Sequence, residues 1–318
     1  MEYTQDMRTA RYAMDRSRTL VEALPWLKDT TGQTVVIKYG GSAMEDDALL
    51  REVTSDIVLL KLLGVRPVLV HGGGKAVSRA MRAADIEVEF KDGMRVTTPE
   101  AMDVVRQVLV GDANARLVMA INVHGALAVG LSGMDANVVC GEPLSADLGR
   151  VGRVTKVNAS FIRELVDADR IPVLSSVASD GEGGCLNVNA DVVAGEVAAA
   201  LGAHKLVYIT DVDGIYEDFS DKFTLISSMT QSEAQGLLDS GKLDSGMIPK
   251  VSSCVAALAA GVPRAHVING MRSHSLLCEV LTDDGVGTMI CRDEGEDMGD
   301  DDGLGTAPLD TLAQRLAE

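Results

Sequence analysis

Two short apolar runs, TVVIK at residues 34–38 and PVLV at 67–70, pass almost at once into glycines: Gly40-Gly41 after the first, Gly72-Gly73-Gly74 after the second. A continuous Val/Ile/Leu run bounded by turn residues predicts a strand buried on both faces. Such strands belong to parallel sheets covered by helices, so these runs constrain the fold most. Similar runs recur as IPVLS at 171–175 and LVYIT at 206–210, with shorter ones at 265–268 and 287–290. Helical spacing lies between them. Leu49, Val53, Ile57 and Leu60 form one stripe over 47–63, with Gly64 suited to the cap. Thr98-Pro99 opens another helix, and 191–201 and 251–260 read as two more. Residues 8–28 predict a helix bent at Pro25, followed by a turn at 29–33. Residues 136–158 alternate and carry Gly141, Gly149 and Gly152, which suggests β-hairpins. The expected fold is α/β: an open, mainly parallel sheet sandwiched by helices, with ligands at the carboxyl ends of the strands. Aromatics are only 3% of the 318 residues, so the core must be Val, Leu, Ala, Ile and Met.

The formal net charge of -18 argues against nucleic acid or an anionic membrane surface as a partner. No apolar run reaches membrane-spanning length. Seven acidic side chains lie between Asp293 and Asp302, and 293–318 reads as a solvated acidic tail. The five cysteines are odd in number and form no CxxC, which fits reduced thiols and argues against structural zinc. Residues 1–18 are charged and have no apolar core, so they are not a signal peptide, and a cytoplasmic protein is expected. In so acidic a chain, cations beside glycine loops become informative.

Lys38-Tyr39-Gly40-Gly41-Ser42 ends a strand and precedes a helix. Glycines let backbone N–H groups approach phosphate oxygens, a helix N-terminus adds positive charge, and Lys38 would neutralise a transferring phosphoryl. His71-Gly72-Gly73-Gly74-Lys75 implies close approach of a ligand, while His71 alone reads as a packed histidine. Neither loop has the spacing of a Walker A or dinucleotide fingerprint. In Asn187-Val188-Asn189-Ala190-Asp191, alternate polar residues either face a site together or supply an ordinary helix cap. Thr210-Asp211-Val212-Asp213-Gly214-Ile215-Tyr216 is either a nucleotide edge or an Asp-Gly turn. Lys250 stands near a predicted helix start, where a cation is unfavourable unless an anion lies nearby.

The runs IKYGGSAM (37–44), VHGGGK (70–75), DGMRVT (92–97), NVNADVVAGEVAAALGA (187–203), ITDVDGIY (209–216) and GMIPKV (246–251) occur in one order. Together they resemble the amino-acid kinase family, and within it the N-acetylglutamate kinases, over roughly 18–292. The resemblance implies ATP with Mg²⁺ as phosphoryl donor, N-acetyl-L-glutamate as acceptor and a place in arginine biosynthesis. It assigns Lys38 and Lys250 to the transferring phosphoryl, Asp191 to organising both, and Gly73, Gly74, Arg95, Asn187 and Asn189 to the acetylated amino acid. Gly40, Gly41, Asp211, Gly214 and Tyr216 correspond to nucleotide contacts. No protein cage for the metal is expected, since the phosphates would hold it. The implied division is an oligomerisation helix (1–28), an amino-acid lobe (29–200), a nucleotide lobe (201–292) and the tail (293–318). Lys75 and Met134 depart from the residues that relatives often carry.

The helix before Lys38 resembles that of arginine-inhibited members, which implies a homo-oligomer, a hexamer built as a trimer of dimers, and arginine as inhibitor. Trp26, His274, Glu279 and Gly285 match the effector region. A PII-type signalling partner is compatible with the resemblance and has no motif of its own here. Two other readings remain: a carbamate or glutamate kinase, and a sensor that binds arginine or acetylglutamate without turnover.

Overall fold

Strand β1 (Thr34–Tyr39) is buried along nearly its whole length, and its side chains divide between two cores. Val36 joins one apolar cluster, and Val35, Ile37 and Tyr39 join the other. This period-two division is why the run contains no polar alternation: both faces of the sheet are covered. Each fully buried Val or Ile contributes roughly 1.5–3 kcal/mol. Ile37→Ala would therefore cost about 2–5 kcal/mol.

The computed structural model describes residues 21–244, 246–282 and 285–293. Residues 8–20 of the expected N-terminal helix and the acidic run after Asp293 lie outside them. The remaining strands are β2 (Arg66–His71), β3 (Phe90–Lys91), β4 (Met94–Arg95), β5 (Ala128–Ser132), β6 (Val139–Pro143), β7 (Gly152–Val157) and β8 (Ile171–Ser175), then β9 (Val177–Ser179), β10 (Cys185–Asn187), β11 (Lys205–Thr210), β12 (Ser228–Thr230), β13 (Arg264–Asn269) and β14 (Thr288–Cys291). Eight of them form one sheet in the order β12-β14-β13-β11-β1-β2-β8-β5. Its pairs are parallel except β13 with β14. A four-stranded sheet, β10-β9-β6-β7, contains the expected hairpin, and β3-β4 form a small one.

On the face of Val36 lie helices Ala159–Asp167, Ala190–Leu201, Gln231–Asp239 and Ile248–Ala259; Asp47–Leu62, Asn114–Asn122 and Ser275–Leu281 cover the other. The chain reverses between β1 and its two neighbours: β2 follows on one side, and β11 returns on the other. That is a topological switch point, where open α/β sheets place their ligands.

Local boundaries follow capping chemistry. The Asp46 carboxylate accepts the Ala48 and Leu49 N–H groups and starts the helix Asp47–Leu62. Thr98 caps the helix Pro99–Arg106, with Pro99 in its first turn. Val21 and Glu22 are helical, Ala23 breaks the helix as a turn, and Pro25 stands in the first turn of the helix Leu24–Thr30, where its missing N–H is unneeded. The expected turn at 29–33 accordingly begins only at Thr31. The helix Ile248–Ala259 starts earlier than 251, so Lys250 lies inside its first turn. Among the described residues, no helix is long and apolar enough to cross a membrane.

Candidate functional site

Lys38 ends the same-face series as Val36 and points at the helix Ala190–Leu201. Its Nζ lies 2.7 Å from Asp191 Oδ1, a charge-assisted ion pair. Lys250 Nζ reaches the other oxygen, Oδ2, at 3.2 Å and donates to the Gly246 carbonyl at 3.0 Å. Burial alone would raise the Asp191 pKa; the ammoniums of Lys38 and Lys250 outweigh it and hold the carboxyl below its ordinary value. Two cations against one buried anion leave a net positive centre at the strand ends. Lys250 tolerates a helix start because Asp191 faces it.

The glycines have separate reasons. A Cβ at Gly40 would stand 2.6 Å from Lys38 Nζ, so a side chain there would displace the lysine ammonium. Gly41 has φ +74, a left-handed conformation that favours glycine, and its added Cβ would lie 3.7 Å from Asp211 Cγ. Gly40, Gly41 and Asp211 therefore converge. Farther along, Asp213 accepts hydrogen bonds from Asn269 (2.8 Å) and Tyr216 (3.1 Å) and pairs with Arg272 at 2.9 Å. Gly214 gives clearance to Thr288, whose Oγ1 accepts the Ile215 N–H at 2.8 Å.

A cavity of about 370 Å³ opens beside these loops, lined in part by Gly41, Gly73, Gly74, Phe90, Arg95 and Arg116. Arg95 is buried, and burial lowers its pKa. Its Nη2 donates to Gly74 O (2.8 Å) and Ser78 Oγ (2.7 Å), its Nη1 contacts Met81 Sδ at 3.4 Å, and the Phe90 ring lies 4.8 Å from its Cζ. Asn187 donates to Thr97 Oγ1 (3.1 Å), which in turn donates to the Arg95 carbonyl (2.8 Å). Asn187, Asn189 and Asp191 do not share one extended segment. Asn187 ends β10, exposed Asn189 caps the helix by accepting the Asp191 N–H at 2.8 Å, and Asp191 turns inward. His71 is a packed neutral histidine, its pKa lowered by burial to about 4, with Asn114 Nδ2 donating to Nε2 at 3.0 Å. Met134 belongs to an apolar cluster with Met81 and Val105.

A second cluster lies at the opposite strand ends and on the other face. Glu279 accepts from His266 Nδ1 (2.8 Å) and from the Val286 and Gly287 N–H groups (2.8 and 3.1 Å). Burial would raise its pKa; these donors bring it below the ordinary value. A Cβ at Gly285 would come within 3.0 Å of Glu279 Oε2. Lys205, 2% exposed, has its Nζ 5.4 Å from the Trp26 ring centre, and burial drops its pKa to about 8. Burial also lowers the His266 pKa, and among the described residues its Nε2 has no hydrogen-bond partner. His274 is elsewhere, 2.6 Å from Asp56. Among the described residues, no group of three or more His, Cys, Asp and Glu side chains could hold a metal ion.

Residues 33–269 match the sequence profile of the amino acid kinase family. This chain belongs to that family. It is 48% identical over 304 residues to an acetylglutamate kinase of Bifidobacterium longum strain DJO10A, covering 92% of this chain and 96% of that one. Among solved structures it resembles N-acetylglutamate synthase from Neisseria gonorrhoeae, complexed with coenzyme A and N-acetyl-glutamate, at 28% identity and a TM-score of 0.78. The match covers 87% of this chain, which spans 63% of the synthase chain. Carbamate kinase from Giardia lamblia, bound to AMP-PNP, shares the fold at 18% identity and a TM-score of 0.61, over 83% of this chain and all of that one.

In this amino acid kinase, Lys38, Lys250, Asp191, Gly40, Gly41 and Asp211 meet at one place, and Gly73, Gly74 and Arg95 line the adjoining cavity. Tyr216 and Gly214 gather around Asp213 and Thr288. Lys205 and His266 are buried partners that sequence reasoning missed. Their only signal was a lysine and a histidine within otherwise apolar strands.

Proposed function

We propose that this chain is an ATP-dependent kinase that transfers the γ-phosphoryl group to the side-chain carboxylate of N-acetyl-L-glutamate, yielding N-acetyl-L-glutamyl 5-phosphate for arginine biosynthesis. The observation that carries the reading is the Lys38–Asp191–Lys250 clamp next to the Arg95 cavity. A side-chain carboxylate has a reference pKa of about 4.3 and is already ionised at pH 7, so no general base is required. The barrier is repulsion between an anionic nucleophile and an anionic phosphoryl. Lys38 and Lys250 neutralise charge on the transferring group, while Asp191 fixes both ammoniums and keeps them apart. Gly41, Gly73 and Gly74 line the same cavity, where backbone N–H groups of the loops and of a helix start would meet phosphate oxygens. Arg95 and Asn187 hold the acceptor's α-carboxylate and orient it. Mg²⁺ enters with ATP as substrate, held by its phosphates, since Asp191 is already matched by two ammoniums.

An ADP-release assay with ATP, Mg²⁺ and N-acetyl-L-glutamate tests this, with glutamate, carbamate and aspartate as alternative acceptors. Turnover on glutamate but not on its acetylated form would overturn the substrate assignment.

A second reading concerns regulation. The cluster of Lys205, Trp26, His266 and Glu279 supports an arginine effector site. Glu279 would meet a guanidinium, and the orphaned His266 Nε2 would accept from a donor. With the resemblance of the N-terminal segment to that of arginine-inhibited relatives, this supports feedback inhibition in a hexameric, cytoplasmic enzyme. Removing residues 1–28 should lower the assembly state and blunt inhibition; a full-length dimer indifferent to arginine would sink this second reading.

A further inference from the structure

Behind the Asp191 carboxylate lies a buried triangle of oxygens. Tyr208 stands on β11 directly beside Lys38 of β1 and is fully buried. Its hydroxyl is 3.0 Å from the Asp191 carbonyl oxygen and 2.7 Å from Ser253 Oγ. Ser253 Oγ donates to the same carbonyl at 2.8 Å. Two hydroxyl hydrogens serve these three contacts, so Ser253 donates to the carbonyl and Tyr208 donates to Ser253 or shares the carbonyl. Burial raises the Tyr208 pKa well above its ordinary value, so it remains a donor. Burying two hydroxyls in this apolar layer is unfavourable unless they are paired, and here each is.

The geometry reaches Lys250 through one crossing. Gly195 lies one turn beyond Asp191, and Ser253 lies one turn beyond Lys250 on its own helix. A Cβ at Gly195 would overlap Ser253 Oγ, so glycine permits close approach of the two helices at this point. The crossing therefore sets how far Lys250 stands from Asp191. Lys38 reaches Asp191 from β1, Tyr208 from β11 and Lys250 from the crossing helix.

We propose that Tyr208 and Ser253, with Gly195 as their clearance, are positioning residues for phosphoryl transfer that act only through the Lys250–Asp191 ion pair. This rests on the reading of Lys250 as a phosphoryl-stabilising group. The test uses the full chain and the single variants Tyr208→Phe, Ser253→Ala and Lys250→Ala. Each of the first two is also combined with Lys250→Ala. Misplacement by about 1 Å can cost as much as 10²-fold, so each positioning variant is expected to lower kcat about 5–30-fold, with KM for both substrates within about twofold. In the Lys250→Ala background the same changes should alter kcat by less than about twofold, because the residue they position is gone. An undiminished kcat in both single variants overturns the proposal, as does a full multiplicative loss without Lys250. Silent wild-type protein would count against the kinase reading instead. Crystal structures of Tyr208→Phe and Ser253→Ala decide the positioning claim in either case. Lys250 Nζ should leave ion-pair reach of Asp191, beyond about 4 Å. An unmoved ion pair in both overturns the proposal.

Discussion

Lys38 and Lys205 stand on neighbouring strands, at opposite ends and on opposite faces of the sheet, and both are buried. Their surroundings differ in one respect. Lys38 shares a buried carboxylate with Lys250, and that carboxylate is pulled toward its ionised form. Among the described residues no carboxylate pairs with Lys205: Glu279 is engaged by His266 and two backbone N–H groups, nearby Asp29 by His204 and Arg264, and Arg264 adds like charge. The first lysine is a preformed member of a clamp. The second is a destabilised cation whose burial an arriving carboxylate would relieve. Equal burial thus distinguishes the two lysines only when the anion beside each is counted.

The comparison breaks most directly by removing each cation. Lys38→Met or Lys250→Ala should lower kcat about 10²–10³-fold, as for loss of a donor that stabilises transition-state charge. Lys205→Met should leave kcat within about threefold when arginine is absent, and steady-state kinetics compares the two. A large kcat loss on changing Lys205 would erase the distinction.

The next effect is on stability. The unfolded chain's lysine titrates near 10.4, whereas Lys205 in the folded protein titrates at about 8. Between those values the unfolded state holds a proton that the folded state lacks, so stability rises with pH across that window. The rise from this one group is roughly 2–3 kcal/mol. Urea midpoints from pH 7.5 to 10 should show it in the wild type and lose it in Lys205→Met. Parallel curves would contradict the depressed pKa.

Much of this architecture was legible because a strand covered on both faces can carry no polar alternation. The runs at 34–38, 171–175 and 206–210 all became central strands of the sheet. The helix Gly74–Ala83 was hidden by its own start, since three glycines read as loop until a chain-specific contact fixes them. Lys250 was legible as an oddity near a helix start, and Asp191 supplied the reason. Lys205 and His266 were not legible: they meet Trp26 and Glu279 only through pairing of β11 with β13 and docking of Ser275–Leu281. Only the resemblance places His274 in the effector region, and its imidazole turns instead to Asp56.

Two smaller effects sharpen the contrast. Glu279→Gln should raise the arginine concentration for half-inhibition about 10–100-fold, matching a lost charged hydrogen bond, with kcat unchanged. Inhibition that survives unaltered would move the effector elsewhere. Asn189→Ala should cost about 1 kcal/mol of stability as a lost helix cap. Asn189→Asp keeps the cap, so a raised KM with unchanged stability would assign the Asn189 amide to the acceptor as well.

On the proposed reading, the Lys38–Asp191–Lys250 centre delivers phosphoryl to a carboxylate. Hydroxylamine converts an acyl phosphate to a hydroxamate, so trapping alongside ADP release reads that chemistry directly. With ATP, Mg²⁺ and N-acetyl-L-glutamate, the wild type should form one hydroxamate per ADP, with a matched loss of both in Lys250→Ala. ADP release without hydroxamate would contradict that reading.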